Sequence, residues 1–287
     1  MKYTERLFRP PAEAESLIFQ VALGCPHNTC TFCAMYKGVP YQVVPEKEIL
    51  ATFEQAARWH PETRRIFLAD GDVMILSFDR LCQMLEKLNA LFPRLARVNL
   101  YANGTSILSK SSEELAQLRD LKLQTLYMGL ESGDENLLKQ VHKGATAEGM
   151  CEAVQKAQAV GLKCSVMILL GLAGRKGSQE HAVATARILN RMQPRLLSAL
   201  RFVEVPGCAM FPDYQTATEY EVICELITIL RGLELEQTVF RADHSSNIVP
   251  LEGRFPKDKE RLIEQLDALL ASGHLDKNSP GRLPWSL

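Results

Sequence analysis

No apolar stretch in this chain reaches the roughly 18 residues expected of a membrane span. The longest one, "CSVMILLGLAG", suits a buried strand. The opening residues, "MKYTERLFRPPAEAESL", lack the apolar run of a signal peptide. An excess of one charge is missing too. The net charge of −1 at pH 7 gives no global attraction to nucleic acid or an anionic membrane. There is no low-complexity segment, internal repeat or Gly/Ser linker to mark a domain boundary. Cysteine is not scarce, with eight in 287 residues, yet neither familiar cysteine-rich design fits. A disulfide framework needs paired cysteines and a secreted setting, and a structural zinc site takes four ligands, usually as two separated pairs. These absences predict a cytoplasmic chain whose 46% hydrophobic residues bury a large core in one domain, 1–287.

What is present is "LGCPHNTCTFCAMYKG", residues 23–38, with three cysteines in nine residues and no fourth beside them. Three thiolates closing a tight loop can hold three irons of a [4Fe–4S] cluster and leave the fourth iron open to a substrate or cofactor. The plainer alternative is a partial zinc site or buried thiols. Cys82, Cys151, Cys164, Cys208 and Cys224 stand alone and are expected in the core, where free cysteine is usually found.

Around this loop the sequence alternates strand and helix. "SLIFQVAL", "RRIFLADGD", "RVNLYANG", "LQTLYMGLESG", "KCSVMILLGLAG" and "RLLSALRFVEVPG" read as strands, each followed by a helical pattern such as "PEKEILATFEQAARWH" or "SQEHAVATARILNRM". Six such units imply parallel strands with right-handed crossovers, in an open doubly wound sheet or a full or partial (β/α) barrel. Periodicity does not separate the two. The unusual residues all fall at the C-terminal ends of the strands, where both architectures place ligands: the cysteines, then "ADGD", "YANG", "ESG", "GLAGR" and "VPG".

On these residues the chain resembles the radical S-adenosylmethionine (SAM) superfamily. The usual signature there is CxxxCxxC with an aromatic residue before the third cysteine. Here Cys25, Cys30 and Cys33 match it, with Phe32 in the aromatic place and four residues, "PHNT", in the first gap instead of three. "DGD", Asp70-Gly71-Asp72, occupies the place of the family's GGE-like motif, whose polar groups hold the SAM amino group. "GLESGDENLLKQVHKGAT" is similar to a segment of the branch containing oxygen-independent coproporphyrinogen oxidase, which implies Glu131 and Ser132 near the SAM ribose or methionyl part. "MILLGLAG" and "VEVPGCAMF" resemble the fifth- and sixth-strand motifs of the family, and the SAM-contacting set implied includes Asn103, Arg175 and Val205. Asp70, Asp72 and Glu131 also suit ordinary helix starts.

The resemblance implies a partial (β/α)6 TIM-like barrel, with a core over about 15–235 and a C-terminal extension, about 236–287, closing its mouth. It implies a [4Fe–4S] cluster and SAM as cofactors. Reductive cleavage of SAM would then give a 5′-deoxyadenosyl radical that takes hydrogen from a small-molecule or lipid-like substrate. An electron donor such as flavodoxin or ferredoxin is the implied partner. A tetrapyrrole-related enzyme and a non-catalytic iron–sulfur or SAM-binding regulator stay open as alternatives.

The stretch "FRADHSSNIVPLEG", residues 240–253, shows neither helical nor alternating pattern and reads as a polar loop. Turn chemistry alone suits its Asp, Ser and Asn. The alternative gives His244 and Asn247 a substrate-facing role, with Arg201 and Arg175 holding an anionic group, because histidine can move a proton near neutral pH.

Overall fold

The structure, a computed structural model, describes residues 7–281. Its strands are β1 (Leu17–Gln20), β2 (Ala22–Leu23), β3 (Gln42–Val43), β4 (Arg65–Ala69), β5 (Arg97–Tyr101), β6 (Leu123–Glu131), β7 (Lys163–Leu170), β8 (Leu196–Arg201), β9 (Val239–Ala242) and β10 (Leu251–Arg254). The helices are α1 (Glu46–Trp59), α2 (Phe78–Leu91), α3 (Gly104–Leu108), α4 (Ser112–Asp120), α5 (Glu135–Gln140), α6 (Ala147–Ala159), α7 (Gly174–Met192), α8 (Glu219–Gly232) and α9 (Lys259–Ala271). Neighbouring strands run in the order β1-β4-β5-β6 and in the order β7-β8-β9-β10. The α/β class and the parallel strand–helix alternation expected from sequence are both present.

The chain forms two compact units. One takes the residues up to Asn28, Met35–Met128 and Ala153–Cys164; the other takes Thr29–Ala34, Gly129–Glu152 and the residues from Ser165 onward. In the first unit β1, β4, β5 and β6 pair in parallel. Ile66, Phe67, Leu68 and Ala69 of β4 are consecutive and all buried, as expected of a parallel strand covered on both faces. Phe19 meets Phe53 of α1 edge-on at 4.6 Å and Phe92 at 6.3 Å, giving this unit an aromatic centre. In the second unit β7, β8 and β9 are parallel and β10 returns antiparallel to β9. Helix α7 turns His181, Ala182, Thr185, Ile188, Leu189 and Met192 inward at helical spacing.

Helix starts follow the capping rules. Ser111 and Thr218 form reciprocal capping boxes with Glu114 and Glu221 at the heads of α4 and α8. Asp134 accepts from the Asn136 N–H at the head of α5.

The C-terminal extension departs from expectation. Residues 240–253 are not one loop: their ends lie in β9 and β10, and a turn containing His244 joins them. Four-residue strands are too short to print an alternating pattern, and their pairing with β8 supplies the order that local propensity does not.

Candidate functional site

In the first unit the site is built where β1 and β4 end. Gly71 follows β4 at φ +46, and a Cβ there would strike the Gly24 carbonyl oxygen and lie 2.8 Å from the Cys25 Cα. Only glycine permits this approach, so the "DGD" turn and the first cysteine are fitted to one another. Asp70 is fully buried. Its carboxylate accepts from Gln20 Nε2 at 2.5 Å and from the Tyr36 hydroxyl at 3.2 Å. Burial pushes the Asp70 carboxyl up to about 6, against the lowering effect of those two hydrogen bonds. Asp72 is also pushed up to about 6 by burial, while the Ser106 hydroxyl, at 2.9 Å, and the Asn103 N–H pull the other way. Asn103 therefore reaches Asp72 through its backbone, at the start of α3.

The second unit carries Cys30 and Cys33. Their loop is closed by the Cys33 N–H on the Cys30 carbonyl at 3.4 Å. It is tied down on both sides: Thr31 N–H donates to Val141 O at 3.0 Å, and Ala209 N–H donates to Thr31 O at 2.9 Å. The Phe32 ring packs on the cluster of Leu137, Val141, Leu172, Ala173 and Phe202, so it anchors the loop. Cys208 adds a contact that spacing could not reveal, its Sγ donating to the Phe32 carbonyl at 3.0 Å.

Glu131 ends β6 in the left-handed region, at φ +63, and accepts from Lys143 Nζ at 2.8 Å. Ser132 is fully buried and faces inward, its Oγ 2.7 Å from His181 Nδ1 and accepting from the Asp134 N–H at 2.9 Å. His181 Nε2 in turn lies 3.5 Å from Glu225 Oε1, and Glu225 accepts from the Gly171 N–H at 2.7 Å and the Ser178 hydroxyl at 2.5 Å. This buried chain pins the turns after β6 and β7. It gives Ser132 a structural place in that chain.

Among the remaining expected site residues, Arg175 is exposed and paired with Glu221, Nε to Oε1 2.9 Å. Arg201 is buried and donates from a guanidinium NH to the Pro280 carbonyl at 2.9 Å. Val205 accepts from the Cys208 N–H at 3.0 Å. Asn247 uses both ends of its amide on β8, accepting from the Arg201 N–H and donating to the Ala199 carbonyl, each at 2.9 Å. The side chain thereby staples the turn to the sheet. Asn247→Ala is expected to cost about 2–3 kcal/mol in urea unfolding, the scale for leaving buried backbone groups unpaired. His244 Nδ1 accepts from the Ser246 N–H at 3.1 Å, and burial pulls its imidazole below the ordinary histidine range.

All three signature cysteines are partly exposed, and none forms a disulfide. Among the described residues no three His, Cys, Asp or Glu side chains converge on a single-ion site. A cluster that takes each thiolate on a different iron needs no such convergence. Soft donors on a pinned, partly open loop fit a [4Fe–4S] group.

Comparison with known proteins gives the family. The family model described as the Radical SAM superfamily matches residues 19–185, more than half of the chain. The chain belongs to the radical SAM superfamily. It is 23% identical over 215 residues to the heme chaperone HemW of Bacillus subtilis (strain 168), covering 69% of this chain and 56% of that one. The chain thus spans little more than half the length of that curated relative. Methylornithine synthase (PylB) superposes with a TM-score of 0.53 at 14% identity, over 93% of this chain and 83% of the other. Coproporphyrinogen III oxidase (HemN) from Escherichia coli gives 0.53 at 14% identity, over 90% and 52%. At these identities the structural likeness shows the fold alone. Among the described residues no helix is long and apolar enough to cross a membrane.

The Asp70 shift carries a testable consequence for this radical SAM protein. Its folded-state pKa of about 6 exceeds the ordinary 3.8, so between these values the folded form binds more protons than the unfolded one. Stability therefore falls as pH rises through that window and stays lower at pH 7. Asp70→Asn, with the Gln20 amide turned to match, is expected to stabilise the apoprotein by up to about 3 kcal/mol at pH 7. The advantage should shrink as pH is lowered toward 4, and thermal unfolding of both proteins across that range checks it.

Proposed function

We propose that this chain is a cytoplasmic radical SAM enzyme acting on a small-molecule or lipid-like substrate, with reducing equivalents from a flavodoxin- or ferredoxin-type donor. The observation that carries the reading is the cysteine loop: three thiols outside any disulfide on a backbone pinned at Thr31, with Gly71 alone permitting the approach of the "DGD" turn to Cys25. When bound, the cluster and SAM supply reductive C–S cleavage and hydrogen abstraction from carbon.

The protein's part is to bind and to position. Cys25, Cys30 and Cys33 hold the cluster. The 70–72 turn offers two buried carboxylates to the SAM ammonium. Asp70 has no lysine or arginine among the groups that shift it, so a bound cation would relieve the cost of its buried charge. Asp72 contributes a charge-assisted contact of roughly 1.5–3 kcal/mol. Glu131 and the backbone at Val205 line the cofactor's path, and His244 takes the substrate side. Anaerobic reconstitution with iron counting and electron paramagnetic resonance tests the cluster assignment. Tight zinc in place of iron would contradict it.

A second reading has one observation behind it, the 215-residue likeness to a protein described as a heme chaperone. On that reading the cluster and SAM serve a haem-handling protein that leaves SAM intact. Titration with haemin separates the two: a saturable Soret shift at one haem per chain, without SAM cleavage, favours the chaperone.

A further inference from the structure

Lys143 is a nearly buried cation of the second unit, its side chain 11% exposed beside the 8% of Glu131. Two features of the chain fix this ion pair. Glu131 takes a left-handed backbone, φ +63, which aims its carboxylate at Lys143. Gly129 leaves the room: a Cβ there would collide with the Glu131 carboxylate and stand 3.2 Å from Lys143 Nζ. The segment carrying Lys143 is also joined to the segment carrying Cys30 and Cys33. Thr31 N–H donates to Val141 O at 3.0 Å, and two residues later Lys143 N–H closes on Leu138 O at 2.9 Å. Burial lowers the proton affinity of the Lys143 ammonium. Glu131 and the thiolates of Cys30 and Cys33 outweigh that and hold it above the ordinary lysine range.

We propose that Lys143 is a potential-setting residue, whose buried ammonium, placed by the Glu131 pair and the Thr31–Val141 hydrogen bond, eases one-electron reduction of the cluster held by Cys30 and Cys33. The inference rests on the cluster reading above. Reduction adds one electron from the external donor and breaks no bond, so the whole change is one more negative charge on the cluster. A fixed cation in a site shielded from water favours that charge, and net charge near the cluster is among the levers that set iron–sulfur potentials. Glu131 opposes the effect and keeps the ammonium desolvated without loss of its proton.

The test is a redox titration of the reconstituted protein, followed by electron paramagnetic resonance, in wild type, Lys143→Arg, Lys143→Met and Glu131→Gln. At the potential where the wild type is half reduced, Lys143→Met is expected to show a reduced-to-oxidised ratio at least tenfold lower, a midpoint shift of about 59 mV to more negative values. Lys143→Arg should titrate near the wild type, and Glu131→Gln should shift the other way. If Lys143→Met does not assemble because Glu131 is left unpaired, the double variant Glu131→Gln/Lys143→Met removes both charges. It should titrate below Glu131→Gln alone. A loaded Lys143→Met, or a loaded double variant, that titrates with its reference at equal iron content overturns this inference only. A wild type that takes up no iron–sulfur cluster overturns the cluster reading, and this inference with it.

Discussion

Reconstituted without oxygen, Cys30→Ala and Cys33→Ala are expected to fold as the wild type does and to hold almost no iron, against roughly four irons per chain in the parent. The reason lies in the loop's construction. Its backbone is held by Thr31 on both sides and its Phe32 ring by a hydrophobic cluster, and neither anchor uses a thiol. Removing one sulfur should therefore delete a ligand without releasing the loop. Far-ultraviolet circular dichroism should be unchanged, while the visible absorption of the cluster disappears. Retention of a full cluster by either variant would remove these cysteines from the ligand set.

The second large effect is expected at Gly71. In Gly71→Val the new side chain meets two costs. The first is the left-handed backbone at φ +46, which costs an L residue about 1–2 kcal/mol. The second is collision with the Gly24 carbonyl and the Cys25 backbone, neither of which is a flexible side-chain end that could move aside. Overpacking of that kind adds about 1–3 kcal/mol. The variant should lose roughly 2–5 kcal/mol of stability, combining those ranges, and most of its capacity for iron. Gly38→Ala separates the two costs. Gly38 sits at φ +78 with nothing within 4 Å of an added Cβ, so that variant bears the backbone strain without the collision. It is expected to lose about 1 kcal/mol and keep its cluster. Equal iron loss in both variants would mean that strain alone, not the approach of the turn to Cys25, explains the glycine.

Much of this was legible from residue order, and the exceptions have physical causes. The parallel strands announce themselves as apolar runs ending in polar turns, because a strand covered on both faces cannot alternate. The cysteine triplet and the "DGD" turn stand out because their residue types are rare at such spacing. The β9–β10 pair stayed hidden because four residues do not make a period. The chain from Ser132 through His181 to Glu225 was missed for another reason. In "SQEHAVATARILNRM" His181 was not singled out, although it lies on the same helical face as Thr185, Ile188 and Met192, all inside or near the core. Position on the buried face was the available signal. Lys143 lay within a segment noted for its likeness to the family, but its pairing with Glu131 depends on a left-handed residue that no local pattern marks. The ties of Asn247 were not legible because its partners, the backbone groups of Ala199 and Arg201, lie more than forty residues away in sequence.

The central claim is that this radical SAM protein cleaves its cofactor, and one measurement addresses it directly. Anaerobically reconstituted wild-type protein is mixed with SAM and excess dithionite, and the products are separated by chromatography over time. The account predicts 5′-deoxyadenosine and methionine in equal amounts, formed only by protein with its cluster and absent with Cys30→Ala. SAM recovered intact from a fully loaded, reduced protein would contradict it.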